Sequence, residues 1–399
     1  MKIAIVSLDN SDRILAGGKH VHQQLLKKAF QKQGHSVLMI FPKRTLIFLF
    51  GRGLIAVLSK LRILDRSFSY AWTLECYCKS ISQQLRTVSQ DLNVVFAQDP
   101  VSSVAAGRVL TNSVPIVMTL HGYLARESVN YGNYSSDEQK KVTKEALWYE
   151  RESLKFAKRV ITVDSKIESY LSEFFDSHKS VTVLKNAVNP ELFRLLDSNS
   201  SKILKSELGL PGNKDIVLVP RRLVRKNGVD IAIRACAELK KTNTSYYFVV
   251  IGGGPEHSNL ADLIRQLGLS SDDIVLKGDT NHDLAIKYYE VADVVLVPSV
   301  IRDGVEEATS LSMLEGMAAR KVVVVSAIGG MKEVIVNRIN GFSFEQGNVG
   351  ELTELLSGLK KLTNEERSKI VDRAYHDVCE RHHYERHAEN YLLEFEKSK

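Results

Sequence analysis

The chain has 399 residues, of which 44% are hydrophobic and 25% are charged, so it is long enough for two folded domains and too apolar for extensive disorder. The 54 basic and 47 acidic side chains give a formal net charge of +7. This charge favours phosphate-bearing ligands, nucleic acid or an anionic membrane surface without choosing among them.

The first residues, Met1 to Val6, are predicted to form a β-strand and lack the pattern of a signal peptide. No apolar run approaches the roughly 20 residues that are needed to span a bilayer. The four cysteines have neither the spacing of a disulfide framework nor that of a usual zinc site. These features together lead us to expect a reducing, cytoplasmic environment.

Short apolar runs suited to buried parallel strands recur along the chain, with helical periodicity between most of them. The first series comprises residues 3–8, 35–41, 93–97, 115–120, 159–163 and 181–185, and the second comprises residues 215–219, 246–251, 273–277, 293–297 and 321–325. Strands that alternate with helices form parallel sheets covered on both faces. The two series therefore predict an α/β protein with two Rossmann-like, doubly wound domains.

The boundary between the predicted domains falls near residues 190–202, where Pro, Asn and Ser cluster. We predict an N-terminal domain over residues 1–195 and a C-terminal domain over residues 196–379. Ligands bind beyond the carboxyl ends of parallel strands, so the loops that follow the strands are the first places to look for chemistry. In a two-domain chain such loops can face each other across a cleft.

Two loops of the first half carry candidate ligand residues. Gly17 and Gly18 directly precede a helix whose unpaired N–H groups can hold an anion, although a glycine pair also suits an ordinary turn. His121 follows the fourth strand and precedes a glycine. It could hydrogen-bond a substrate hydroxyl or carry a proton, whereas most histidines are structural or exposed.

A basic run follows the first strand of the second half, and it consists of Arg221, Arg222, Arg225 and Lys226. Its position at the ligand end of a strand suits a diphosphate, which Arg binds in bidentate fashion and Lys binds as a point charge. A solvated surface is the alternative. Three glycines, residues 252–254, follow the next strand without the dinucleotide fingerprint, so they predict only a close approach of the backbone.

Two carboxylates form the strongest pattern. Glu307 lies in the loop after the strand at 293–297, and Glu315 lies on a helix that Thr309 or Ser310 can cap. This helix is predicted to continue to roughly residue 320 and to place Glu315 at the edge of its apolar face. A half-buried carboxylate needs hydrogen-bond donors, and sugar or ribose hydroxyls are suitable. A capping carboxylate beside a surface carboxylate is the alternative.

These motifs resemble, in order, the retaining glycosyltransferases of family four, which have the GT-B fold. The resemblance is carried by the Glu307 and Glu315 pair with seven residues between, by LEGMAARKVVVVSAIGGMKEVI (314–335) and by NGFSF (340–344). Further matches are the glycine pair at 17–18, LHGY (120–123), VLKNAVNPELF (183–193), RRLVRKNGVD (221–230) and IGGGPE (251–256). The likeness extends from Met1 to about residue 345.

The resemblance implies that a nucleotide-sugar donor binds mostly to the second domain and an acceptor mostly to the first. It also implies that the C-terminal helix, about residues 380–399, packs back on the first domain. Glu315 would bind the ribose hydroxyls and Glu307 the donor sugar. Arg222 and Lys226 would hold the diphosphate.

The remaining assignments also follow from the resemblance. Gly18 would donate its N–H to a phosphate oxygen, and His121 would contact the sugar near its C6 hydroxyl. Other residues assigned to donor binding are Gly17, Gly253, Gly278, Thr309, Ser310 and Leu311. The chain departs from the family at 308–310, where the family often has Gly-Phe-Gly, and at 226–228, where Asn227 separates the usual Lys and Gly.

The implied reaction is the transfer of a hexose-type sugar, with retention and by same-face attack, to an envelope glycan, a lipid-linked acceptor or a small molecule. No Asp-x-Asp run is present to hold a divalent ion, so we expect metal-independent transfer without a cofactor and without nucleic acid as a partner. Fixed cations would stabilise the departing diphosphate. A nucleotide-sugar epimerase, a glycan phosphorylase or a non-catalytic sugar-nucleotide-binding subunit remain alternatives, because fold alone does not settle function.

Residues 42–68 are strongly apolar and carry six basic side chains against one acid, Asp65. This mixture suits a segment that lies on an anionic membrane surface, as a peripheral protein on the inner face of the cell membrane would need. A core helix with a basic outer face is the alternative.

Overall fold

The structure, a computed structural model, describes residues 1–10, 18–43, 46–61, 63–110, 114–129, 134–174, 181–302 and 304–399. Its contacts divide the chain into two compact units. The first unit comprises Met1–Asp12, Gln23–Lys185 and Glu385–Lys399, and the second comprises Arg13–His22 and Asn186–Tyr384. Each unit contains one six-stranded sheet, and every described strand pair is parallel, which confirms the predicted α/β class.

The sheet of the first unit has the strand order β2-β1-β3-β4-β5-β6. Its strands are β1 (Lys2–Val6), β2 (Ser36–Ile40), β3 (Val94–Ala97), β4 (Ile116–Leu120), β5 (Arg159–Thr162) and β6 (Val181–Val183). Its helices are α1 (Gly18–Lys32) from Gln23 onward, α2 (Leu46–Lys60), α3 (Arg66–Val88), α4 (Pro100–Gly107), α5 (Leu124–Ser128), α6 (Ser136–Phe156) and α7 (Ser165–Phe174). The central strands β3 and β4 are buried along their whole length, as continuous apolar runs predict.

The sheet of the second unit has the order β12-β11-β10-β7-β8-β9. Its strands are β7 (Asp215–Pro220), β8 (Tyr246–Ile251), β9 (Ile274–Leu276), β10 (Val294–Val297), β11 (Val322–Ser326) and β12 (Phe342–Phe344). Its helices are α8 (Ser198–Glu207), α9 (Val229–Lys241), α10 (His257–Gln266), α11 (His282–Val291), α12 (Leu311–Ala318), α13 (Gly329–Lys332), α14 (Val349–Leu359) and α15 (Asn364–Arg381). Two clusters of buried apolar residues contain strand residues of this sheet. One of them also contains residues of α12, and the other contains residues of α9.

The strand order of the second sheet reverses between β7 and β10. The chain proceeds from β7 to β8 and β9 on one side, and then returns to place β10 on the other side of β7, with Val294 opposite Val217. In open α/β sheets this reversal leaves a crevice beyond the carboxyl ends of the two strands, where ligands bind. The loops after β7 and β10 are therefore the loops that form the candidate site.

The last helix, α16 (Tyr384–Glu396), packs its aromatic side chains among those of the first unit. The ring of Phe395 lies 5.6 Å from that of Phe30, and the ring of Tyr391 lies 5.0 Å from that of Phe96. The guanidinium of Arg159 donates to Glu394 Oε2 from Nε at 2.8 Å and from Nη2 at 2.6 Å. Aromatic burial and a charge-assisted hydrogen bond thus fix this helix.

In the described part of the chain, no helix combines the length and the apolar character that crossing a bilayer requires. The longest of the described helices is α3, with 23 residues. The strongly apolar helix α2 has only 15 residues.

The buried His22 side chain on α1 generates a pH prediction, because burial lowers its pKa from the ordinary value of 6.5 to about 4. Between pH 6.5 and about pH 4, the His22 side chain binds a proton in the unfolded chain but not in the folded chain. As the pH drops through this range, His22 should therefore lower the free energy of unfolding by up to about 3 kcal/mol. Denaturant unfolding at several pH values should show a shallower fall for His22→Gln than for wild type. Equal slopes would contradict the prediction.

Candidate functional site

Arg221 is the first residue after β7, and its side chain is buried. Its Nη2 group donates to Asn227 Oδ1 at 2.7 Å, to Ser299 Oγ at 2.8 Å and to Glu307 Oε2 at 2.7 Å, while Nη1 lies 3.4 Å from Ser310 Oγ. The acceptors come from the loop after β7, from the loop after β10 and from the segment that leads into α12. One guanidinium therefore joins the loops on both sides of the strand-order reversal.

The carboxylate of Glu307 is the charged partner of this guanidinium. The exposed fractions of the two side chains are only 8% for Arg221 and 14% for Glu307, so solvent screens the pair weakly. Burial raises the pKa of Glu307, but the charge and hydrogen bond of Arg221, with the charge of Lys226, more than offset it and hold this pKa below its usual value. Glu307 is therefore ionised at neutral pH.

Two glycines of α13 hold the loop that carries Glu307. The N–H of Gly330 donates to the carbonyl oxygen of Glu307 at 3.0 Å, and the N–H of Gly329 donates to Glu306 Oε2 at 3.1 Å. Gly329 has a positive φ of +47°, and a Cβ at this position would lie 2.0 Å from the Glu307 carbonyl oxygen. A Cβ on Gly330 would lie 2.6 Å from the N atom of Thr309. Only glycine allows these two backbones to approach so closely.

Helix α12 begins where the sequence predicted but is shorter and is capped differently. Ser310 is the N-cap residue, yet its side chain makes no capping hydrogen bond, because its hydroxyl lies next to Arg221. Thr309 is buried, and its carbonyl oxygen accepts from Asn186 Nδ2 at 2.7 Å. The helix ends at Ala318 rather than near residue 320, because Arg320 adopts a left-handed conformation with φ of 54°.

Glu315 is buried on α12, deeper than the predicted half-burial. Its Oε1 atom lies 2.9 Å from His282 Nε2, and the hydroxyl of the buried Tyr289 also interacts with the carboxylate. Burial, followed by the charge of Glu315, raises the pKa of Tyr289 well above its ordinary value. Tyr289 is therefore neutral, and its hydroxyl also donates to the carbonyl oxygen of Ser312 at 3.4 Å. The hydrogen-bond partners that a buried carboxylate requires come from α11.

The two basic residues predicted to hold a diphosphate lie in different environments. Arg222 is exposed directly after Arg221. Lys226 is half-buried in a 3₁₀ turn (Arg225–Asn227), and its charge contributes to the low pKa of Glu307. The structure therefore brings Lys226 close to the carboxylate and leaves the Arg222 side chain at the surface.

Asn227, which separates the family's usual Lys and Gly, has two structural contacts. Its Oδ1 accepts from Arg221, and its Nδ2 donates to the carbonyl oxygen of Arg222 at 2.7 Å. Gly228 follows with φ of 63°, and a Cβ there would lie 1.9 Å from the carbonyl oxygen of Pro298. The inserted residue thus helps to orient Arg221, which the sequence alone did not indicate.

The glycines after β8 approach the protein's own backbone. A Cβ on Gly252 would lie 2.5 Å from the Arg221 carbonyl oxygen, and one on Gly254 would lie 2.3 Å from the Leu223 carbonyl oxygen. The N–H of Gly253 donates to Asp279 Oδ1 at 2.7 Å, and the N–H of Gly252 donates to the Gly278 carbonyl oxygen at 2.7 Å. The predicted close approach is confirmed, and its partner is the loop that starts with Arg221.

Three further predicted residues are Gly18, His121 and Leu311. His121 follows β4 in the first unit, where its Nε2 lies 3.0 Å from Oε1 of the buried Gln98. Gly18 is the first residue of α1, and Gly17 lies outside the described residues. Leu311 opens α12 and packs against the apolar cluster of the second unit. Among the described residues, no group of three or more His, Cys, Asp or Glu side chains could hold a metal ion.

Sequence reasoning placed Arg221 in a basic run suited to a diphosphate and did not predict that it pairs with Glu307. It missed the other residues that orient Arg221 and the two carboxylates, namely Asn227, Ser299, His282 and Tyr289. Arg221 and Arg222 are adjacent and chemically identical, so the sequence did not show which of them is buried. The one indication that Arg221 is the buried residue was its position directly after the strand, because the residue that follows a strand still belongs to the packed end of the sheet. His282 and Tyr289 come from a helix that carries no recognisable motif.

Two family models match the chain over most of its length. One, described as Glycosyltransferase Family 4, matches residues 16–192, and the other, described as Glycosyl transferases group 1, matches residues 200–377. An uncharacterized glycosyltransferase of Methanocaldococcus jannaschii is 27% identical over 96% of this chain and 95% of its own. These matches make the chain a GT4-like glycosyltransferase of the GT-B type.

Solved structures agree on the fold. Sucrose-phosphate synthase from Thermosynechococcus elongatus has a TM-score of 0.78 at 17% identity and covers 99% of this chain and 98% of its own. The Anabaena protein HepE in complex with UDP-glucose has a TM-score of 0.71 at 18% identity and covers 100% of both chains. At these identities the likeness shows the GT-B fold alone.

Gly329→Ala should displace the loop that carries Glu307. Gly347 provides a matched control, because it also has a positive φ, of +76°, but a Cβ added there would have no heavy atom within 4 Å. We expect Gly347→Ala to cost roughly 1 to 2 kcal/mol of unfolding free energy, and Gly329→Ala roughly 1 to 3 kcal/mol more. Denaturant unfolding of both variants measures the difference. Equal losses of unfolding free energy in the two variants would show that the loop that carries Glu307 can move without an energetic cost.

Proposed function

We propose that the protein transfers a hexose-type sugar from a nucleotide-sugar donor to a glycan, a lipid-linked acceptor or a small molecule, with retention of anomeric configuration. The observation that carries this proposal is the ionised Glu307 carboxylate, which Arg221 holds beside the start of α12 at the strand-order reversal of the second sheet. A carboxylate that is held this firmly beyond the carboxyl ends of the strands is suited to accept hydrogen bonds from sugar hydroxyls.

The donor-binding roles are assigned as the family resemblance implies. Glu315 accepts hydrogen bonds from the ribose hydroxyls, and Glu307 accepts from the donor sugar. Among the hydrogen bonds of the described residues, those to the Glu307 carboxylate reach Oε2. This pattern supports a role for Oε1 toward the sugar. The contacts of Glu315 with His282 and Tyr289 support its role by fixing the carboxylate in one orientation.

Cations neutralise the diphosphate as it departs. Negative charge develops on the leaving group while the sugar gains oxocarbenium character, so fixed positive charge lowers the barrier. Arg222 and Lys226 are assigned to this role, Gly18 is assigned to a phosphate oxygen, and His121 to the sugar near its C6 hydroxyl. The exposure of Arg222 suits a side chain that can turn toward a diphosphate when the donor binds.

The proposed mechanism is same-face attack, in which the departing phosphate accepts the proton of the acceptor hydroxyl. The bond from the anomeric carbon to the diphosphate oxygen breaks, and the bond to the acceptor oxygen forms on the same face. A double displacement would instead need a carboxylate beneath the anomeric carbon to act as the nucleophile. Glu307 is already paired with a guanidinium, which stabilises its charge and lowers its nucleophilicity.

The donor is best sought among nucleotide hexoses. Because the Anabaena neighbour is solved with UDP-glucose, UDP-hexoses come first, followed by GDP- and ADP-sugars. A donor that binds only the folded state raises the apparent melting temperature. A thermal-shift screen over these donors therefore identifies the base and the sugar class before any acceptor is known.

Glu307→Ala should abolish sugar transfer while preserving binding of the nucleoside diphosphate, because the carboxylate is assigned to the sugar. The same variant should lose about 3 kcal/mol of unfolding free energy, since it leaves Arg221 buried without its charge partner. The matched control is Glu354→Ala, which removes an exposed carboxylate on α14 of the same unit. Product release, diphosphate affinity and denaturant unfolding are measured on all three proteins. Full transfer by Glu307→Ala would exclude the proposed role.

Transfer should persist after exhaustive treatment with a chelator, and the product should keep the anomeric configuration of the donor. Nuclear magnetic resonance of the product reports this configuration. Activity that returns only with a divalent ion would contradict the metal-independent mechanism. A need for inorganic phosphate would indicate a phosphorylase, and donor turnover without an acceptor would indicate an epimerase.

A further inference from the structure

Helix α2 exposes an apolar stripe to solvent. The stripe is formed by Phe50, Leu54 and Val57 on α2 and by Leu61 directly after it, and their exposed fractions are 77%, 61%, 55% and 63%. Their spacing of four, three and four residues places them on one face of a helix. An exposed row of large apolar side chains marks an interaction surface, whereas single exposed ones do not.

The opposite face of α2 packs against α3. Phe48 and Ile55 are buried, and the ring of Phe48 stacks on Trp72 at 5.5 Å and on Tyr77 at 5.3 Å. A Cβ on Gly51 would lie 2.5 Å from the Trp72 ring, so the two helices approach closely. The helix therefore already has a core-facing side, and the stripe is an additional apolar face.

Exposed apolar side chains are concentrated in this part of the chain. Six of the thirteen exposed large hydrophobic residues that the structure describes lie between residues 50 and 68. The other seven are distributed from residue 148 to residue 393. A random scatter of exposed apolar groups would not give this concentration, so the stripe needs a specific occupant.

Charge identifies the chemistry of that occupant. Residues 42–64 contain five basic residues and no acidic residue. Lys43 is exposed just before α2. At the other end, the N–H of Arg66 donates to Glu138 Oε1 at 2.6 Å, and Lys141 pairs with Asp65, so the end of this segment lies against α6. An apolar stripe on a segment of net positive charge complements an anionic lipid surface.

We propose that α2 lies in the plane of an anionic membrane surface, with its apolar stripe among the acyl chains. With 15 residues the helix is about 22 Å long, which is too short to span the hydrocarbon core. The surface therefore serves for peripheral docking. This inference rests on the surface of the first unit and not on the proposed sugar transfer, so a vesicle experiment tests it independently of activity.

The experiment measures binding of the full chain to vesicles of phosphatidylcholine with roughly 30% phosphatidylglycerol and to vesicles of phosphatidylcholine alone. Wild type is compared with Phe50→Ser/Leu54→Ser/Val57→Ser. The matched control is Leu195→Ser/Ile203→Ser/Leu393→Ser, whose side chains are similarly exposed, at 78%, 53% and 58%, but do not form a stripe. A charge variant, Lys43→Glu/Lys60→Glu, reports the contribution of the basic residues.

We expect wild type and the control to bind anionic vesicles, the stripe variant to bind at least about tenfold more weakly, and the charge variant to bind more weakly only at low salt. Binding should be weak on neutral vesicles. Equal binding by wild type and the stripe variant, or no binding by wild type, would overturn the proposal. So would a concentration-dependent dimer that the stripe variant abolishes, because the occupant would then be a second copy.

A measurement on wild type alone keeps the proposal testable even if the stripe variant fails to fold. Trp72 packs beneath α2, and Trp148 is exposed on α6. Lipids brominated in the acyl chain should quench tryptophan fluorescence when anionic vesicles are added. No quenching at saturating lipid would contradict docking through this face.

Discussion

The buried ion pair between Arg221 and Glu307 is the interaction on which the rest of the candidate site depends. Two charges removed from water are stable only when each has a partner and further hydrogen bonds, and here Asn227, Ser299 and Ser310 supply additional partners for the guanidinium. Because these partners come from different loops, the pair fixes the loops after β7 and β10 relative to each other. It also keeps the carboxylate ionised, which suits its proposed role as an acceptor for sugar hydroxyls.

The second sheet and two loop glycines position the ion pair between Arg221 and Glu307. Parallel strands bring their carboxyl ends to one edge, and the reversal of strand order between β7 and β10 leaves room there. Gly228 and Gly329 allow the loop backbones to approach within distances that a side chain would prevent. A rigid arrangement of charges can stabilise a transition state, because the charges need little reorganisation during the reaction. Under the proposed function, the fold contributes to catalysis by holding these charges in fixed positions.

The sequence predicted the framework better than the detailed site. All eleven strands expected from apolar runs are present, whereas β12 was missed. Its two phenylalanines are separated by the half-buried Ser343 and flanked by Gly341 and Glu345, so they do not belong to a longer apolar run. Glu315 was predicted to be half-buried and is buried, because His282 and Tyr289 supply partners from a helix that no local pattern links to it. Arg221 and Arg222 could not be separated, because burial at the end of a strand is decided by tertiary packing.

A double-mutant cycle tests the central claim most directly. The free energy of unfolding is measured for wild type, Arg221→Met, Glu307→Gln and the double variant, and the coupling energy is obtained from the four values. If the pair holds the site together, the coupling energy should be about 1 to 3 kcal/mol. A coupling energy below about 0.5 kcal/mol would mean that the two side chains act independently, and it would contradict the account.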